Sequence, residues 1–131
     1  MLNAVVRRVS WRHRLCAVLS IGMLWITSCG SPFDSGKVWS FDKDDNGQVR
    51  SVRSGDEIHV TLQTIGPGYY DEHPGISSPA VAFSKVSYPS PQNPGGPRQL
   101  FEFTAVAAGQ AVISIPHTFQ DKRFDITVDV R

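Results

Sequence analysis

The last strand-like stretch of the chain alternates without a break. Phe124, Ile126, Val128 and Val130 fall on one side of an extended backbone, and Asp125, Thr127 and Asp129 on the other. A period of two marks a strand with one face in a core and one in water. The same pattern runs through Asp56–Thr64, where Ile58, Val60 and Leu62 oppose His59, Thr61 and Gln63. Gln99–Ala105 and Gln110–Ile115 read as two further strands joined through Ala107-Ala-Gly109, and Ala80–Tyr88 as another. Val38–Phe41 and Gln48–Val52 predict a hairpin closed near Asn46-Gly47, a dipeptide suited to tight turns. Nine prolines and eleven glycines fall mostly between these runs, as in Gly66-Pro-Gly68, Pro89-Ser-Pro91 and Asn93-Pro-Gly-Gly-Pro97. About seven short strands with turn punctuation and no convincing helix predict an all-β fold, an immunoglobulin-like antiparallel β-sandwich over residues 38–131.

The beginning of the chain obeys different rules. Arg7, Arg8, Arg12 and Arg14 precede a mostly apolar run, Leu15–Ile26, and no acid appears among them. A basic start, a short apolar stretch and a small-residue exit predict a secretory signal peptide over residues 1–28. The run is shorter than the about 20 residues a membrane-spanning helix needs. Its exit, Ile26-Thr-Ser-Cys29-Gly30, resembles the lipobox of bacterial lipoproteins, which implies acylation of Cys29 and a polar tether over residues 29–37. More than one acyl chain holds a protein stably on a bilayer. The expected address is therefore an exported, membrane-anchored lipoprotein of the cell envelope or periplasm. Cys16 is lost with the leader, leaving Cys29 as the one cysteine and no disulfide in the domain. Removal of the leader also shifts the charge balance to nine basic against twelve acidic residues. No basic patch survives it, and nucleic-acid binding is not expected.

Several side chains invite a chemical reading. Asp42, Asp44 and Asn46, followed by Gly47, have the alternate-oxygen spacing that opens a calcium loop. The twelfth position of such a loop, which wants a bidentate glutamate, is Arg53. The same residues serve equally as a solvated polar turn, so a weak calcium site and a plain turn both stand. No other cofactor is expected. His59, His73 and His117 lack metal-ligand spacing, and Asp71-Glu-His73 reads as a solvated loop. No serine sits in a nucleophile elbow. Enzymatic activity is not expected.

The segment Thr64–Asp71 stands out for recognition. Gly66, Pro67 and Gly68 bend it, and Tyr69 and Tyr70 follow; tyrosines on loops give contact area at low entropic cost. From Gly55 to Arg131 the chain resembles the chagasin-type cysteine protease inhibitors. A glycine-led strand runs into a loop ending Gly68-Tyr69, where that family has Asn-Pro-Thr-Thr-Gly-Tyr. Gly95-Gly96 precedes Phe101-Glu-Phe103, where the family has a glycine-rich loop before a Phe-x-Phe strand, and Ala108-Gly109 leads into an aliphatic strand. The resemblance implies an immunoglobulin-like domain whose three neighbouring loops fill a protease cleft. Two of the loops differ in letter: Thr64-Ile-Gly-Pro67 replaces Asn-Pro-Thr-Thr, and Pro116-His-Thr-Phe-Gln120 stands where the family has Arg-Pro-Trp. The expected binding residues are Gly66, Pro67, Gly68, Tyr69, Tyr70, Gly95, Gly96 and His117, and the expected partner an envelope protein or a cysteine protease. The other reading is a structural envelope domain steadied by calcium at the Asp42–Gly47 turn.

Overall fold

A computed structural model of the protein describes residues 36–131; the leader, Cys29 and the tether as far as residue 35 lie outside the described residues. Eight strands follow one another: β1 (Val38–Phe41), β2 (Val49–Val52), β3 (Glu57–Gln63), β4 (Gly75–Ile76), β5 (Val81–Ser87), β6 (Arg98–Ala105), β7 (Gly109–Pro116) and β8 (Arg123–Val130). They form two four-stranded sheets, ordered β1-β3-β6-β5 and β2-β8-β7-β4. The sandwich expected from the alternation is present, and its interior is the inward face of each long strand. Ile58, Val60 and Leu62 from β3, Phe101 and Phe103 from β6, Ile113 and Ile115 from β7, and Ile126 and Val128 from β8 are all buried. Each large apolar side chain so placed contributes about 1.5–3 kcal/mol of transfer free energy.

The expected hairpin between Val38–Phe41 and Gln48–Val52 does not form. β1 pairs parallel to β3 in one sheet, and β2 parallel to β8 in the other. The sheets are therefore mixed rather than wholly antiparallel. The reason lies between the two strands, where Asp42 caps a single 3₁₀ turn over Lys43–Asp45: its carboxylate accepts from the Asp44 N–H, and the Asp45 carboxylate accepts from the Asp42 N–H. A type I′ hairpin needs positive φ at both central residues, yet Asn46 holds φ at −57°. Asn46 instead accepts from the Asp125 N–H at 2.7 Å, while the Gly47 N–H donates to the Asp125 carbonyl. The chain crosses from one sheet to the other there.

One carboxylate fastens the entering chain. Asp56 is buried and accepts three hydrogen bonds, from the Lys37 N–H at 2.9 Å, the Trp39 indole Nε1–H at 2.8 Å and the Arg53 N–H at 2.9 Å. Burial works to raise its pKa, but the three donors and the Arg53 charge outweigh it and hold the carboxyl below its ordinary value. A depressed carboxyl stabilises the fold fully above its unfolded value of 3.8 and loses that contribution as pH falls through the folded value. Asp56→Ala is expected to lower stability by about 2 kcal/mol, because three donors lose their acceptor. Urea denaturation should place this loss at neutral pH and find it shrinking as the pH drops below 3.8; an undiminished loss at low pH would contradict the ionised-acceptor account.

Candidate binding surface at one end of the sandwich

β3 runs from Glu57 to Gln63, and its partner β6 runs back from Arg98 to Ala105. One end of the sandwich therefore holds the entering chain at Lys37, the end of β8 and the Gly55 turn. The other end holds four connections: the Asp42–Gln48 segment between β1 and β2, Thr64–Pro74 after β3, Tyr88–Pro97 after β5, and His117–Lys122 after β7, the last three of which form its loops. This second end, the crown, gathers every residue expected to contact a partner.

The inward register of three strands continues into the crown but changes chemistry there. After Ile58, Val60 and Leu62 comes Thr64; before Phe101 and Phe103 comes Gln99; after Ile113 and Ile115 comes His117, and all three polar residues are buried. A buried polar group without a partner is costly, and these are partnered. The Gln99 side chain accepts from the Tyr70 N–H at 2.7 Å and donates to the Tyr70 carbonyl at 2.8 Å, imitating a strand neighbour. Thr64 Oγ1 lies 3.3 Å from His117 Nε2. His117 Nδ1 accepts from the N–H groups of Phe119 at 3.2 Å and Gln120 at 3.0 Å. The Tyr70 ring meets the His117 ring edge to face at 5.0 Å. Burial raises the Tyr70 hydroxyl pKa, and burial followed by the Lys122 charge lowers that of His117.

On this polar floor the three loops are joined to one another. The central loop reaches the glycine-rich one through the Gly66 N–H to the Gly95 carbonyl at 2.7 Å and the Thr64 N–H to the Pro97 carbonyl at 3.0 Å. The Gln63 side chain adds a bond to the Gly96 carbonyl. On its other flank, the Thr118 N–H donates to the Tyr69 carbonyl at 2.8 Å, and the Gln120 side chain donates to the Ile65 carbonyl. Tyr88 donates its hydroxyl to Glu72, which pushes its pKa up to about 12. Gly68, at φ +93°, sits so close to the third loop that a Cβ there would lie 2.6 Å from Phe119 Cβ and 2.7 Å from His117 Cε1.

The middle of the crown presents apolar side chains outward, flanked by the charged Asp71-Glu-His73 and Asp121-Lys122 segments. Ile65 is 82% exposed, Phe119 72% and Tyr69 46%. Thr64–Tyr70, Asn93–Pro97 and His117–Gln120 contain no Asp, Glu, Lys or Arg. Of the expected residues, Gly66, Pro67, Gly68, Tyr69, Gly95 and Gly96 belong to the loops themselves, whereas Tyr70 and His117 lie beneath them. Sequence reasoning passed over Ile65 and Phe119, whose signal was an isolated apolar letter in an otherwise small and polar loop. It also passed over Gln99, whose signal was an amide at an inward position of a strand. The Asp42–Asn46 turn lies at the same end, where Asn46 lines one cavity with Thr64, Ile65 and His117; the oxygens of Asp42 and Asn46 cap backbone N–H groups, and Asp44 pairs with Lys43. Among the described residues, no three His, Cys, Asp or Glu side chains are grouped to hold a metal ion.

No family model matches the chain, and no curated protein matches it in sequence. Solved structures do match its fold. The cysteine protease inhibitor EhICP2 from Entamoeba histolytica superposes with a TM-score of 0.58 at 12% identity, covering 72% of this chain and 96% of that one. Amebosin superposes at 0.55 and 19% identity, covering 72% and 98%. PbICP-C, solved in complex with falcipain-2, superposes at 0.50 and 17% identity, covering 73% and 100%. The fold is chagasin-like, as the order of strands and loops implied.

The two adjacent glycines of the second loop separate cleanly in their demands. Gly95 has open space where a Cβ would go, while Gly96, at φ +146°, would bring one to 2.6 Å from the Thr64 carbonyl oxygen. Gly95→Ala is expected to leave stability within about 0.5 kcal/mol. Gly96→Ala should cost about 2 kcal/mol or more from strained backbone and displaced main chain. Paired thermal melts check this, and equal effects would contradict the loop contact.

Proposed function

We propose that this protein is a protein-binding module that inserts its crown into the cleft of a partner, and that the partner is a papain-like cysteine protease. The observation that carries the reading is the crown itself: three loops from both sheets, cross-bonded into one surface, with uncharged apolar tips at Ile65, Tyr69 and Phe119. Monomers seldom expose such tips together without a use for them. The chagasin-like fold favours a protease cleft over other concave partners. In that setting Phe119 supplies the aromatic ring on the third loop, where the family's Arg-Pro-Trp would lie, and Thr64-Ile-Gly-Pro67 supplies the bend of the first. Binding of this kind is occlusion and needs no chemistry from the chain.

The lipid anchor belongs to the same proposal. The described chain enters at Gly36 and Lys37, beside the Gly55 turn and at the end opposite the crown. Acylation at Cys29 would hold that end toward a membrane and turn the loops away from it. Cys29→Ser is expected to move the protein from the membrane fraction to the soluble one, and unchanged fractionation would sink the anchor.

Inhibition of papain by the purified protein tests the crown. Exposed aromatic and aliphatic anchors at an interface centre are worth about 2 kcal/mol each, close to 30-fold in affinity. Phe119→Ala and Ile65→Ala should each weaken inhibition by about that factor, while Val49→Ala, exposed on β2 away from the crown, should leave it unchanged. Equal inhibition by all three variants would remove the crown from the account.

A further inference from the structure

His117 lies beneath the crown tips, where it holds the third loop. It is buried, and both ring nitrogens are engaged. Nδ1 receives two backbone N–H groups, from Phe119 and Gln120, so it carries no proton. The ring proton resides on Nε2, which faces Thr64 Oγ1 at 3.3 Å. This single neutral tautomer folds the Phe119–Gln120 segment back over its own ring, as a capping side chain closes a turn. Gln120 in turn reaches the Ile65 carbonyl, so the same closure fixes the two most exposed apolar tips of the crown.

We infer that His117 is a positioning residue and a pH-sensitive latch, whose protonation at Nδ1 sets a third N–H against two others and releases the Phe119 tip. This rests on the crown reading for its consequence in binding, though not for the latch itself. A cation at His117 would lose both acceptor bonds, since a protonated Nδ1 only donates. The charged and titratable groups around the ring come from four elements. Tyr70 lies against it from the first loop, Asp121 and Lys122 belong to its own loop, Arg123 and Asp125 to β8, and Lys43 to the 3₁₀ turn. Arg123 is bound to Asp125 at 2.8 Å, and neither Asp is hydrogen-bonded to the ring. Burial, with Lys122 nearby, lowers the pKa from its ordinary 6.5. A lowered histidine favours the closed loop fully above 6.5, and that preference fades as pH falls through the folded value. The crown is then rigid near neutrality and loose in acid, so a bound partner is released on acidification.

The test is NMR on the ¹⁵N-labelled protein through a pH titration. At neutral pH the His117 ring should be protonated on Nε2 alone. The Phe119 and Gln120 amide signals should move together with the His117 ring, on one midpoint below 6.5. In His117→Asn, whose side-chain oxygen accepts the same N–H groups without titrating, both amides should stay still. A ring protonated on Nδ1 at neutral pH, or amides that hold their shifts while the ring titrates, would overturn the latch. In parallel, papain affinity of the wild type divided by that of His117→Asn cancels the protease's own titration. This ratio should fall about tenfold per pH unit below the ring's midpoint; a flat ratio would refute release on acidification. If neither protein binds papain at neutral pH, the crown reading fails while the amide titration still decides the latch.

Discussion

Everything in this domain hangs on the inward register of three strands and on the point where that register stops being apolar. Along β3, β6 and β7 the residues facing the interior are Ile, Val, Leu, Phe and Ala until the crown, where they become Thr64, Gln99 and His117. A purely apolar end would pack as well, but it would offer no hydrogen-bonding partner to main chain leaving the sheets. Loop backbone carries donors and acceptors that need satisfaction once covered. The polar floor supplies it: Gln99 pairs with both groups of Tyr70, and His117 takes two N–H groups of the third loop. The loops are thereby held as extensions of the scaffold.

This arrangement reconciles two features that otherwise pull apart. The crown tips are apolar and exposed, which favours collapse onto one another or onto the core. They stay apart because each loop is bonded laterally to its neighbour through main-chain groups, at Gly66–Gly95 and Tyr69–Thr118. Glycine makes those approaches possible, since a side chain at Gly68 or Gly96 would occupy space already taken by the adjoining loop. A surface ordered before it meets its partner loses less conformational freedom on binding. The absence of charge in the three segments leaves shape and apolar contact to do the selecting.

The strands and their faces were legible in the chain because period-two alternation has a direct physical cause in a two-sided sheet. The β8 pattern alone assigns Phe124, Ile126, Val128 and Val130 to the core, and each is there. The pairing of β1 and β2 was not legible. Asn46-Gly47 has hairpin composition, but whether it turns back depends on Asp42 and Asp45 closing a local 3₁₀ turn and on Asn46 capping β8 through Asp125, 79 residues away. The order of loops pointed to the crown, while its working parts were hidden in single letters. Ile65 and Phe119 look incidental until their exposure is seen, and Gln99 looks like a surface amide until its face is known. His117 reads as a contact residue of the third loop, and only the third dimension places two N–H groups on its Nδ1.

The most direct measurement of the central claim is amide chemical-shift mapping of the labelled protein against catalytically blocked papain. The account predicts perturbations concentrated at residues 64–70, 93–97 and 117–120, with the outer sheet faces and the Gly36–Gly55 end undisturbed. Perturbations centred on a sheet face or on the opposite end, or none at saturating protease, would contradict it.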